Sequence, residues 1–246
     1  MPYKKIIFSA FILFYTTICF SQEVIEKKGS LFDNITETYH VLPDQQTRDG
    51  LYQVFYKKKH MIVSGVYEKG KKTGTWRYFN PAGALLQTYS FDRDSIVYEA
   101  FESRASGFHY FVDKDLTDSD KTTKPRKIGG RYFGYLPYVS AFKTPYLEYG
   151  SAMYSATIEL LISPMGRLAD FQVHVIGPDY DQNTRLSLKL FKEEDRRFAP
   201  ATINRQPVIC RIIIKCRVTN DGGLDFLDGK ALNGIGLDPM YILPRD

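Results

Sequence analysis

Between Gly50 and Phe91 the chain repeats itself with an offset of 24 residues. Gly50, Tyr52 and Phe55 fall on Gly74, Trp76 and Phe79, and the register continues with Met61 on Leu85 and Tyr67 on Phe91. A fixed period of this size marks stacked supersecondary units, each burying its apolar face against the next. Each copy holds aromatic-rich, strand-like stretches separated by turn residues, Lys69-Gly70-Lys71-Lys72 and Asn80-Pro81-Ala82-Gly83. Successive β-hairpins are therefore expected over residues 23–112.

The amino terminus carries a different signal. Lys4 and Lys5 precede an apolar run from Ile6 to Phe20 that ends at Ser21 and Gln22. The run is shorter than the roughly 20 residues a spanning helix needs, so residues 1–22 read as a secretory signal, with an uncleaved anchor as the rival reading. Cys19 raises lipidation as a third option, although Thr16, Thr17 and Ile18 fit a lipoprotein cleavage site poorly. Contact with a membrane follows only if the signal is retained. Without Lys4 and Lys5 the formal charge of +5 falls to about +3, too small to point to nucleic acid. The expected mature chain of about 225 residues suits two small domains.

Residues 113–127 are polar and charged, contain Pro125 and show no apolar period, so they read as a linker. Asp113, Asp115, Asp118 and Asp120 suggest calcium, but an EF-hand needs glycine where Asp118 stands and glutamate where Lys124 stands.

From residue 128 to 220 the pattern becomes α+β. Ile158, Leu160 and Ile162 share one strand face, Ser163-Pro164-Met165-Gly166 supplies a turn, and Phe171, Val173 and Val175 share a face of a second strand, which pairs with the first. Gly177-Pro178 ends that strand. Asp181 or Asn183 then caps an expected helix toward Arg196, although Leu186, Leu188 and Leu190 alternate as a strand would. The run Glu193-Glu194-Asp195 reads as a solvated face. In the last strand, 208–218, Val208, Cys210, Ile212, Ile214 and Cys216 face a core, and Arg211, Lys215 and Arg217 face solvent. Cys210 and Cys216 lie on one extended strand about 20 Å apart, too far for a mutual disulfide. Strand, strand, helix, strand predicts helix packed on an antiparallel sheet. Residues 221–246 form either a disordered tail or a cover for a sheet edge.

Two resemblances follow from these residues. Gly65-x-Tyr67, Gly70-Lys71, Gly74-x-Trp76, Tyr78 and Gly83-x-Leu85 resemble MORN-variant repeats, which form hairpin arrays. Ile128-Gly129-Gly130, Pro145, Gly166, Phe198-x-Pro200-Ala201, Asn204 and Pro207-Val208 are, in this order, similar to the carboxyl-terminal domain of the TonB family. Thr144 stands where that family usually has an aromatic residue and Arg205 where it usually has glycine, so Asn204 either takes the left-handed turn position or the turn does without one. The family's histidine-bearing anchor and long proline-rich spacer are missing from the sequence. The resemblance implies a ββαβ domain whose last strand lies at a sheet edge and accepts an extended segment of an envelope protein, an outer-membrane receptor among the candidates. Ile213 would lie on that edge, and the charges of Arg211, Lys215 and Arg217 would favour an acidic segment.

Three functions compete: a periplasmic adaptor, an anchored TonB-type energy transducer, and an envelope enzyme suggested by the 15% aromatic content. His40, His60, His109 and His174 are scattered without metal-ligand spacing, and no catalytic motif or cofactor site is legible. The adaptor is the favoured reading, with no catalytic residue, metal or cofactor. The partner's identity and the oligomeric state are not encoded in any motif.

Overall fold

A computed structural model describes residues 24–102, 106–144, 147–178 and 180–227. The signal segment, Cys19, Pro145 and residues 228–246 of the tail lie outside the described residues. Among the described residues the chain is mostly β, with 54% strand and 8% helix.

The first half is an antiparallel meander of seven strands in sequence order: β1 (Ile25–Phe32), β2 (Ile35–Val41), β3 (Arg48–Tyr56), β4 (His60–Glu68), β5 (Lys71–Phe79), β6 (Leu85–Ser90) and β7 (Ser95–Glu99). The 24-residue offset is one hairpin, since it carries β3 onto β5 and β4 onto β6. Tyr52 and Trp76, equivalent in the two copies, stack with ring centroids 5.2 Å apart. Gly65, beside the Trp76 ring, has a steric task. A Cβ on Gly65 would lie 2.2 Å from the Trp76 indole, so only glycine lets that ring lie flat across β4.

The chain then crosses into a second sheet. β8 (Phe108–Phe111) joins the second sheet, and β9 (Thr122–Thr123) follows. Two short helices, α1 (Gly130–Phe133) and α2 (Leu136–Ser140), form the joint. Tyr132 and Leu136 enter the core of the first sheet, whereas Tyr135, Tyr138 and Val139 enter the second. Next come β10 (Ser155–Ile162), β11 (Leu168–Gly177), β12 (Tyr180–Arg185), β13 (Ala201–Ile203), β14 (Gln206–Val208), β15 (Cys210–Val218) and β16 (Leu224–Phe226). The six-stranded sheet runs β12-β11-β10-β15-β16, with β8 also paired to β15; β14-β13-β9 is a small third sheet. The expected hairpin of 157–162 with 168–176 is present as β10 and β11, paired through eight positions.

Four expectations are corrected. Residues 181–196 do not form the helix of a ββαβ unit. Tyr180–Arg185 instead returns as β12 along β11, and only a 3-10 turn, Leu188–Leu190, follows it. The outer backbone groups of β11 take a sheet partner, and residues 180–185 offer no apolar stripe with which a helix could compensate. Residues 113–127 are not a free linker. Thr122 and Thr123 pair with Ile203 and Thr202, Arg126 bridges Ala199, and Asn204 accepts from the Lys121 amide and donates to Asp120. Residues 23–112 are not all hairpin array, because β8 belongs to the second sheet. The last strand is not at an edge, as described below.

The Asn204-Arg205 turn joins β13 to β14 with both residues left-handed, at φ 51° and 67°. Arg205 thus occupies a position that glycine fills without strain. Among the described residues no helix is long and apolar enough to cross a membrane.

Candidate functional site

Arg211, Ile213, Lys215 and Arg217 alternate along β15 and share its outward face, as their spacing implies, but β15 is an interior strand. β10 pairs with it from Cys210 to Arg217 on one side. On the other, β8 pairs with Arg211 to Ile214 and β16 with Cys216 to Val218. Among the described residues a receptor strand therefore finds no free ladder along β15, Cys210–Val218. The alternation of buried and wet residues identifies the two faces of a strand and carries no information about its lateral neighbours. Here those neighbours are short segments from before and after the strand. The start of the expected tail, Leu224–Phe226, is one of them, so it covers a sheet edge.

The basic face is also neutralised from within. Arg211 Nε lies 2.8 Å from the Glu159 carboxylate on β10, and Arg217 pairs with Asp225 on β16. Lys215 is only 7% exposed, and desolvation lowers its pKa. Ile213 stands between His109 on β8 and Glu159 on β10. These four side chains line a mixed polar sheet face.

Among the described residues the unpaired edges lie elsewhere. Three outer strands among the described residues have five residues or more: β1, β7 and β12. β1 carries Lys27 and Lys28 and a bulge between Ser30 and Phe32, and the pairing of β7 is broken by a register shift at Tyr89. Bulges and edge lysines are the usual devices that stop edge-to-edge association. β12 has neither. Its six residues run in unbroken register along β11, with no lysine and no proline.

The phase of that ladder is fixed by one bond. The Leu186 amide donates to the Phe171 carbonyl at 2.9 Å in the same register. Because antiparallel pairs alternate between bonded and non-bonded, Thr184 and Gln182 turn their backbone groups toward Val173 and Val175. Asp181, Asn183 and Arg185 turn their N–H and C=O groups outward. Their side chains are held on the open face: Asp181 by His174, Asn183 by Gln172, and Arg185 by Asp170.

Two buried clusters hold this sheet in place, and neither has a sequence signature. Gln87 on β6 is fully buried; its Oε1 accepts from the Gly129 and Gly130 amides, and its Nε2 donates to the Lys127 carbonyl and to Glu99. Lys127 is 4% exposed, donates to the carbonyls of Glu194, Asp195 and Arg197, and lies over the rings of Tyr138 and Phe198. Burial pushes its pKa down to about 8. The run Glu193-Glu194-Asp195 is therefore a turn anchored to the joint, with Glu194 also paired to Lys72 of β5.

Among the described residues the histidines singled out in the sequence lie on separate strands. His40 contacts the Leu51 carbonyl, His60 is beside Tyr56, and His174 pairs with Asp181, on three different strands. Among the described residues no three His, Cys, Asp or Glu side chains are placed to hold a metal. Cys210 and Cys216 are buried free thiols, and burial pushes the Cys210 thiol up to about 12. A cleft between Glu99, Tyr110, Lys124 and Arg131 has room for about one water molecule. No protein-family model matches the chain, and no curated protein or solved structure matches it.

Proposed function

We propose that this protein is an exported, non-catalytic envelope adaptor that takes up an extended segment of an envelope protein by strand addition at β12. The observation that supports this most is the outer strand itself: six residues in regular register, without the lysines and bulge of β1 or the register break of β7. The outward N–H and C=O groups of Asp181, Asn183 and Arg185 would supply main-chain recognition, and the flanking charges would select the register. The hairpin array, clamped to the second sheet through Gln87, serves as the rigid support that keeps β12 oriented.

The kinship to the TonB carboxyl-terminal domain remains part of this reading at the level of motif order and strand addition. It differs from a ββαβ domain in having a strand where the helix is expected. Periplasmic location rests on the Lys4-Lys5 and Ile6 to Phe20 signal. An energy transducer would need that segment retained as an anchor.

The test places a photo-crosslinking residue at Gln182 or at Ile213 in the exported protein in cells, and identifies adducts by mass spectrometry. Adducts with one envelope protein segment are expected from position 182 and not from 213, and Asn183→Pro should abolish them. Adducts that survive Asn183→Pro, or that arise from 213, reject the β12 site. Protease accessibility in spheroplasts tests the compartment in the same cells.

A further inference from the structure

We infer that β12 also pairs with β12 of a second copy of this chain, in one antiparallel register centred on Asn183, giving a two-fold dimer with a continuous sheet. The inference rests on the same open edge as the proposed partner site and adds the identity of one occupant.

The ladder phase limits the choices. Within β12, Asp181, Asn183 and Arg185 present the outward backbone groups, so an incoming antiparallel strand must pair through its own outward-facing residues. For two copies, centring on Asn183 uses all three. Asp181 then opposes Arg185 of the second copy, Asn183 opposes Asn183, and Arg185 opposes Asp181. Shifting by two residues in either direction loses one of these pairs. Shifting by one sets an outward residue against an inward one and forms no regular ladder.

Charge selects the same register. An incoming strand suited to this edge needs a basic residue opposite Asp181 and an acidic residue opposite Arg185, four positions apart and antiparallel. β12 itself meets that requirement, because a two-fold axis makes each interaction occur twice. Both side chains are available, with 75% of the Asp181 side chain and 72% of the Arg185 side chain exposed. Their contacts to His174 and Asp170 hold them on the open face of the sheet, where cross-strand partners meet. In the dimer Asp170, Arg185, the second copy's Asp181 and its His174 would form one continuous polar row. The interface is short, at the low end of the size range for transient contacts, so association should depend on concentration and compete with uptake of a partner segment.

Sedimentation velocity on protein purified after expression of the full chain tests this directly. Wild type should shift from monomer to dimer across about 5 to 500 μM. Asp181→Arg and Arg185→Asp each place like charges opposite each other twice, and each should weaken dimerisation by at least about tenfold. An equimolar mixture of the two variants restores opposite charges at both positions and should dimerise as wild type does. Thermal unfolding of each variant checks the fold. Asn183→Pro provides a second route, because its lost N–H faces outward and leaves the β11 ladder intact; it should abolish the dimer. Wild type that stays monomeric throughout, folded single variants that dimerise normally, or a mixture that stays monomeric overturns the inference. These measurements need no envelope partner. A monomeric result therefore rejects the second copy and leaves the crosslinking result standing, whereas lost crosslinks with an intact dimer reject only the partner reading.

Discussion

Replacing Gln87 by alanine should cost about 3–5 kcal/mol and uncouple the two sheets. The side chain is fully buried and makes four hydrogen bonds, three of them to backbone groups of the 127–130 turn. Its removal leaves the Gly129 and Gly130 amides and the Lys127 carbonyl without that partner, and each buried orphan costs about 1–3 kcal/mol. Water entering the space left behind recovers part of this. The result is still a large share of the roughly 5–15 kcal/mol that holds an ordinary domain together. Gln87→Glu separates the contributions. A carboxylate can still accept from both glycine amides, but it cannot donate to the Lys127 carbonyl, and it faces Glu99; about 1–3 kcal/mol is expected. The assay is urea unfolding followed by Trp76 fluorescence, which reports the first sheet, and by far-ultraviolet circular dichroism, which reports both. Wild type should give coincident transitions, and Gln87→Ala should separate them. A loss below about 1 kcal/mol with coincident transitions would refute the assignment of Gln87 as the tie between sheets.

Arg205→Gly should stabilise the protein by about 1 kcal/mol, since φ 67° strains an arginine and suits glycine; an unchanged or lower urea midpoint contradicts this. Lys127 gives a pH signature. Its folded pKa of about 8 is below the ordinary lysine value of 10.5, so between those values the unfolded chain binds more protons and stability rises with pH, by roughly 3 kcal/mol in full. Subtracting the profile of Lys127→Met from wild type between pH 8 and 10 should show that rise, and a flat difference rejects it. Cys210 and Cys216 should both be present as thiols by intact mass and should react with alkylating reagents only on unfolding; a mass two units lower means that β15 is not extended as described. Limited proteolysis should spare Thr122 to Arg126, which are tied to β13 and Ala199, and early cleavage there would show that those pairings are weak.

The hairpin array was legible because its information is local. Turn glycines, aromatic alternation and a 24-residue offset each act within one hairpin, and neighbours in sequence became neighbours in the sheet. The β10–β11 hairpin and the two faces of β15 were readable for the same reason. Lateral position was not. Whether β15 is an edge depends on Phe108–Phe111 and Leu224–Phe226, four- and three-residue strands from before and after it, whose composition resembles that of any short apolar segment. The polar segment Tyr180–Arg185 carries no helical or strand period strong enough to decide its state. The unpaired side of β11 decided it, and with it the location of the free edge. Gln87 and Lys127 are likewise single polar residues whose importance comes only from what folds over them. Sequence determined the strands and their faces; tertiary structure decided which backbone groups remain unpaired, because hydrogen-bond partners in a sheet are set by distant segments rather than by the residues that carry the groups.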